Sequence, residues 1–268
     1  MAMRRQPTRP RRIQSLFEFL DRNKAINVRI QRGYIAESLS QKKVEDRALL
    51  LMQRALNTQS QPKLDPIAKF LQAAFESNAL RSFGAFRSWI LASAESDSDN
   101  IREALQHWEG WGPKTAALFV RNLAIIEMAP RLRECFWTDV NVLEGQEIDL
   151  PVDAVILEVF AHVGPLIGKN LKSHKSINKY LRDELGYSAK EMLIWDDLWF
   201  WGFITQRSAP KSKGGDRTVG WNEGKYWSIP YAPRQPADMA NVMHLSREFV
   251  AHLLPSESWQ STATRRRA

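Results

Sequence analysis

Cysteine is almost missing from this chain: Cys135 is the only one in 268 residues. That excludes an intrachain disulfide, a Cys-rich zinc site and a cysteine-ligated iron–sulfur cluster, and a reducing compartment is the natural setting. No uninterrupted apolar run approaches the ~18 residues that a membrane span needs, so no membrane partner is expected. The arginine-rich start lacks the apolar core of a signal peptide, so export is not expected either. Strand signals are scarce, no internal repeat is visible and no heptad pattern is sustained. A Walker loop, a His-Glu-x-x-His pair and a dinucleotide fingerprint are all wanting. Neither a metal nor a cofactor is expected.

What is present has the composition of a soluble globular protein: 44% hydrophobic and 25% charged residues,. The length suffices to bury a core as one large domain or two closely packed ones. The net charge is +8. Arg4, Arg5, Arg9, Arg11 and Arg12 supply five of those charges and Arg265, Arg266 and Arg267 supply three, so residues 13–259 are neutral overall. The expectation is a basic disordered tail over 1–12, a folded domain over 13–259 and a second basic tail over 260–268. Such tails suit sequence-independent attraction to polyphosphate, or they are simply solvated ends. Inside the body, residues 164–182 carry Lys169, Lys172, Lys175, Lys179 and Arg182 without an acid. Residues 134–149 carry Glu134, Asp139, Glu144, Glu147 and Asp149 without a lysine or arginine. The basic stretch is either a docking face for an anion or an ordinary solvated helix face.

Apolar residues recur at three- and four-residue intervals: Leu16, Phe19 and Leu20; Leu49, Met52 and Leu56; Ile67, Phe70, Leu71 and Phe75. That is the helical period. Further helices are expected at about 79–94, 100–109, 113–127, 153–163, 174–185, 188–204 and 237–253, and the fold class is all-α. N-cap residues crowd just before Ile101. Residues 207–236 read as a long loop in which Trp221, Tyr226, Trp227 and Tyr231 are interleaved with Gly, Pro and Lys,.

One stretch invites chemistry: "HWEGWGPKTAALFVRNLAII", residues 107–126. One helix would end at Gly110, and the next would open at Pro113, a residue suited to the first helical position. Glycines let the backbone turn sharply and approach a ligand. Unpaired amides at the start of the second helix attract anions. Lys114 lies in that first turn, beside the positive end of the dipole; a neutral lysine amine can attack carbon and form a Schiff base. Taken alone, the stretch reads first as a helix–helix turn with a solvated lysine.

Glu109-Gly110-Trp111-Gly112-Pro113-Lys114-Thr115-Ala116 resembles the hairpin of the helix-hairpin-helix (HhH-GPD) superfamily of DNA glycosylases. "LPVDAVILEVFAHVG", residues 150–164, resembles its second signature, an apolar-Val-Asp tripeptide that opens a helix, with Asp153 in the aspartate's place. Ile156, Val159 and Val163-Gly164 follow the same pattern. The resemblance covers about 95–165. Lys114 and Asp153 stand 39 residues apart, a longer separation than most of the superfamily shows, and the extra length is the acidic "RLRECFWTDVNVLEGQEID". Val155 and Glu158 stand where His or Asn, and Arg, are frequent. Without cluster cysteines, the chain looks most like the cluster-free branches, including the 8-oxoguanine glycosylases and their archaeal relatives.

The resemblance implies two helical subdomains with a DNA-binding cleft between them and a helix-hairpin-helix at about 100–127. It implies a glycosylase with AP-lyase activity, found in the cytoplasm with the nucleoid and monomeric, acting on double-stranded DNA that contains a modified base. Lys114 would be the nucleophile, with Asp153 stabilising the positive charge that develops on the sugar. Asp139, in "WTDVNVL", is the alternative aspartate, ranked lower. Gly110, Trp111, Gly112 and Thr115 would grip phosphate, with Trp111 at the DNA surface. The target base must leave the stack for a pocket, and Trp221, Trp227 and Tyr231 are the candidates to line it. Trp195, Trp199, Trp201 and Phe203, at helical spacing, read mainly as core. The leading substrate is an 8-oxoguanine-like purine; a bulky modified pyrimidine, such as a hypermodified viral base, is the second. A non-catalytic DNA-binding protein that uses the hairpin only for phosphate contacts is the competing class.

Overall fold

A computed structural model describes residues 9–94, 99–207, 218 and 220–255 of the chain. The regular structure of the described residues is helical, and their only β pairing is an isolated bridge between Gln206 and Thr218. Thus the fold is all-α, as the periodicity requires. The chain divides into two compact units, one formed by residues 31–151 and the other by 1–30 together with 152–268. They are called here the middle and the terminal unit. The division falls inside α1 (Arg11–Ser38), after Ile30.

The middle unit holds α2 (Val44–Leu56), α3 (Leu64–Glu76), α4 (Phe83–Ser93), α5 (Ile101–Gln106), α6 (Pro113–Met128) and the short α7 (Pro130–Glu134). Its centre is α6, whose Ala116, Ala117, Phe119, Val120, Leu123, Ala124 and Ile126 are all buried. Its small Ala116, Ala117 and Ala124 are buried, and α2 and α5 pack against the helix. Aromatic rings fill the remaining space. Phe70 meets Trp108 and Trp111 edge-on, Trp111 meets Phe119 edge-on, and Phe86 stacks on Trp137. Edge-to-face and offset pairs of this kind add to the area that they bury.

The acidic stretch 134–149 acts inward as much as outward. Asp149 pairs with Arg102 at 3.1 Å, and the Asp149 side chain is 4% exposed. Gln146 accepts from the Ile101 amide at 2.7 Å and donates to the Asp99 carbonyl at 2.8 Å. Glu127 of α6 accepts from the Val142 and Leu143 amides, which fixes the connector against the helix.

The terminal unit holds the start of α1, α8 (Ala154–Leu166), α9 (His174–Asn178) continuing as a wider π-helical turn over Lys179–Glu184, α10 (Ala189–Trp195), α11 (Asp197–Thr205), α12 (Glu223–Trp227) and α13 (Pro236–Leu253). Within it α11 is apolar on nearly every side and buries Leu198, Phe200, Trp201, Gly202 and Ile204. Gly202 is the point of closest approach: a Cβ there would lie 2.8 Å from Val155 Cγ1 and 3.1 Å from Val159 Cγ2 of α8. Trp195 and Trp201 are fully buried, as their spacing predicts.

Three expectations need correction. The run at 188–204 is two helices that break at Asp196. The 207–236 loop contains the short α12, capped by Asn222. The N-terminal tail is shorter than expected. Helix α1 begins at Arg11, and Arg9 donates to the Leu185 carbonyl and to Glu191, both at 3.2 Å, while lying 3.7 Å over the Tyr187 ring. Arg12 donates to the carbonyls of His252 and Leu254. These arginines find acceptors far along the chain within the same unit, so they are structural cations. Residues 1–8 and the tail at 260–268 lie outside the described residues.

Candidate active site

The candidate hairpin is built from α5, a turn over 107–112 and α6. Asn100 caps α5 by accepting from the Arg102 and Glu103 amides. Gly110 then adopts φ +98°, in the left-handed region that favours glycine, and a Cβ there would lie 2.8 Å from Ile67 Cγ1,. Gly112 caps α6, and Pro113 takes the first helical position,. Around Gly112 the space is open, since a Cβ would meet nothing within 4 Å.

The connector between α2 and α3 braces this turn from behind. Gln59 donates to the Gly110 carbonyl at 2.8 Å, and Lys63 pairs with Glu109 at 2.8 Å. The hydrogen bond and charge of Lys63, with a smaller contribution from Lys69, hold the Glu109 carboxyl below its ordinary pKa against a slight opposing effect of desolvation. Lys114 extends its amine to the Thr58 carbonyl at 2.9 Å. Thr58 and Gln59 therefore position the candidate nucleophile and its turn. Nothing in their own segment signals this, because the contact spans more than fifty residues of chain.

The predicted phosphate grip is rearranged. Trp111 is 4% exposed, wedged between Phe70 and Phe119, and its amide donates to the Trp108 carbonyl at 3.1 Å. Burial of a ring that size is worth about 2–3 kcal/mol, so the indole sits in the core and not at the surface. Thr115 is 2% exposed. Its hydroxyl accepts from the Gly112 amide at 2.9 Å and donates to the Gly112 carbonyl at 3.0 Å, closing the cap. Among the described residues, the amides of Lys114 and Thr115 make no hydrogen bond. An anion at this helix start would meet those two amides above the open face of Gly112.

Asp153 is the N-cap of α8. Its Oδ1 accepts from the Val155 amide at 2.9 Å and the Ile156 amide at 3.0 Å. The other oxygen, Oδ2, has no partner among the described residues, and the side chain is half-buried. The cap fixes the carboxylate by one oxygen and leaves the second without a hydrogen bond among the described residues,. Buried Leu150, Pro151 and Val152 hold the segment that enters the cap.

Asp139 has no such oxygen to offer. Its Oδ1 accepts from the Phe83 amide at 3.0 Å and its Oδ2 from the Gly84 amide at 2.8 Å, so it clamps the start of α4. It lines a 400 Å³ depression together with Arg87, Asn141, Glu144 and Gln146.

The three loop aromatics are not enclosed. Trp227 is 50% exposed and Tyr231 40% exposed, the latter at φ +64°. Trp221 is half-buried against Tyr226. Arg234 donates to the carbonyls of Tyr226, Trp227 and Ile229 and lies 4.6 Å from the Trp227 ring centre, which holds the loop in shape. Among the described residues no three His, Cys, Asp or Glu side chains converge as a metal site, and no helix is long and apolar enough to cross a membrane. No family model matches this chain, and no curated protein or solved structure matches it.

Proposed function

We propose that the protein is a DNA glycosylase with AP-lyase activity, with Lys114 as the nucleophile and Asp153 as the stabilising carboxylate. The observation that carries the reading is the setting of Lys114. A half-exposed amine stands in the first turn of α6, beside two unbonded amides and behind a glycine that leaves room for a sugar–phosphate backbone. The Thr58 carbonyl fixes one N–H of that amine, so the lone pair of its neutral form points elsewhere,.

In this reading the neutral Lys114 amine attacks C1′ as the N-glycosidic bond breaks. The base leaves with the bonding electrons and takes up a proton. The positive charge developing on the sugar is stabilised by Asp153 Oδ2 while Oδ1 stays bound to the α8 amides,. The ring then opens to the imine. Loss of a C2′ proton expels the 3′ phosphate and nicks the strand, and water finally hydrolyses the imine and returns the amine.

The leading substrate is double-stranded DNA holding an 8-oxoguanine-like purine. A bulky modified pyrimidine is the second reading, favoured by the exposure of Trp227 and Tyr231, which suits a large base better than a closed slot does.

Borohydride trapping on abasic duplex DNA is the test. Wild type is expected to give a covalent adduct and Lys114→Ala none, with binding retained. An equal adduct from Lys114→Ala refutes the nucleophile, and wild-type binding without any adduct favours the non-catalytic class. Asp153→Asn keeps a side-chain oxygen for the cap, so its stability should stay within about 0.5 kcal/mol of wild type. Its single-turnover base release should fall by about two orders of magnitude or more. A panel of duplexes, each with one modified base, identifies the substrate.

A further inference from the structure

Of the five cations in residues 164–182, the structure neutralises two. Lys169 pairs with Glu184 at 2.7 Å and lies 5.2 Å from the Tyr180 ring centre, and Arg182 pairs with Asp183 at 2.8 Å. Those are the nearest acids in the sequence, and both are taken. Lys172, Lys175 and Lys179 are exposed, with no ion pair or hydrogen bond among the described residues. The opposite side of α9 and its continuation buries Ile177, Tyr180 and Leu181, which turns Lys175 and Lys179 outward, four residues apart. Lys172 stands just before Ser173, the residue that caps α9.

This arrangement opposes the helix that carries it. Like charges four residues apart repel, and α9 contributes no acid to offset Lys175. Among the described residues no contact offsets that repulsion, and an external anion would relieve it.

We infer that Lys172, Lys175 and Lys179 form a contact line for the phosphate backbone of duplex DNA, in addition to the Lys114 turn; the inference rests on DNA being the partner. The chemistry favours a nucleic acid over an acidic protein. Protein interfaces centre on aromatic residues, Met and Arg and are depleted in Lys. Among the described residues the large exposed apolar ones, Leu64, Phe75, Met128, Trp227 and Tyr231, all lie outside this segment. Lysine point charges on phosphate supply affinity without reading sequence. A rise of ~1.5 Å per residue sets Lys175 and Lys179 about 6 Å apart along the axis. That is within reach of neighbouring charges on one DNA strand, which recur every ~3.4 Å of duplex rise.

The test compares the affinity of the full-length wild type and of K172Q/K175Q/K179Q for an undamaged duplex across a salt series, with wild-type trapping on abasic DNA run in parallel. Loss of three phosphate contacts should reduce the slope of log affinity against log salt by about 2.7 and weaken low-salt binding about tenfold or more. The thermal midpoint should be unchanged or raised, because the repulsion is gone. A slope within about 0.5 of wild type overturns the inference, and wild-type trapping then leaves the glycosylase reading standing. A wild type without salt-dependent affinity for DNA overturns both. If the variant loses binding to poly-glutamate while its DNA slope is unchanged, the face belongs to an acidic protein and the inference fails.

Discussion

Gly110 and Gly112 look alike in sequence but meet different demands in the fold. At Gly110 the backbone is left-handed and a Cβ would press into Ile67, so a side chain is opposed twice. Gly110→Ala should lower stability by about 1–3 kcal/mol in urea melts. At Gly112 the backbone has φ −92° and the surrounding space is open, so Gly112→Ala should lower stability by less than about 1 kcal/mol, the difference between two N-cap residues,. On the proposed function, a methyl group on that open face would nonetheless stand where a phosphate would approach the Lys114 and Thr115 amides. The expected signature is a fall in DNA affinity of about tenfold or more, with an almost unchanged melt. If both variants lose stability alike, the open face is not a ligand's approach. The turn, the Pro113 start and the Asp153 cap were legible in sequence because each follows from rules that act within four residues. The burial of Trp111 was not, since it depends on Phe70, some forty residues away, and an isolated tryptophan between glycines has no periodicity to betray its direction. Asp139 and Asp153 likewise differ only in the number of carboxylate oxygens that the fold consumes, which is a tertiary fact.

At the level of the helix, the terminal unit depends on how closely α8 and α11 approach. "DLWFWGFIT" is apolar on nearly every side, and the lack of a side chain at Gly202 is what admits Val155 and Val159. Gly202→Ala should cost about 1–3 kcal/mol through overpacking, despite the better helix propensity of alanine. Val155→Ala alone should also destabilise. The pair should be less destabilised than the sum of the two, because the second change makes room for the first. Additive losses in chemical denaturation would mean that the two side chains do not compete for one space. The long helices showed themselves in sequence through repeated apolar spacing. Helix α12 did not, because five residues provide too little period. The break at Asp196 was hidden by apolar residues that continue at helical spacing on both sides of it. The full length of α1 was hidden too, since arginines open it and polar residues fill its exposed side.

Across the terminal unit, the first and last described segments are fastened by groups that acid disrupts in two separate windows. Burial lowers the pKa of His252, and Arg12 and Arg22 reinforce this against Glu248. A base held neutral in the fold binds its proton more weakly than in the unfolded chain. Its contribution to stability is therefore present at neutral pH and falls as the pH drops from about 6.5, its ordinary value, to the lowered one,. Glu191 titrates later. Burial opposes its charge, but the amide and hydroxyl of Ser188 and the Arg9 guanidinium outweigh that and set its pKa below the ordinary carboxylate value. Its contribution is present above the unfolded carboxylate value and disappears as the pH falls through the folded one. Urea midpoints measured against pH should therefore descend in two stages. His252→Gln should flatten the first stage and leave the second. Arg9→Ala should lower stability by about 1–3 kcal/mol at neutral pH, through the lost charge-assisted bond and the ring contact with Tyr187. It should also move the second stage to higher pH, since burial of Glu191 would then be less well opposed. If Arg9 belonged to a solvated tail, its replacement would change neither the midpoint nor the acid limb.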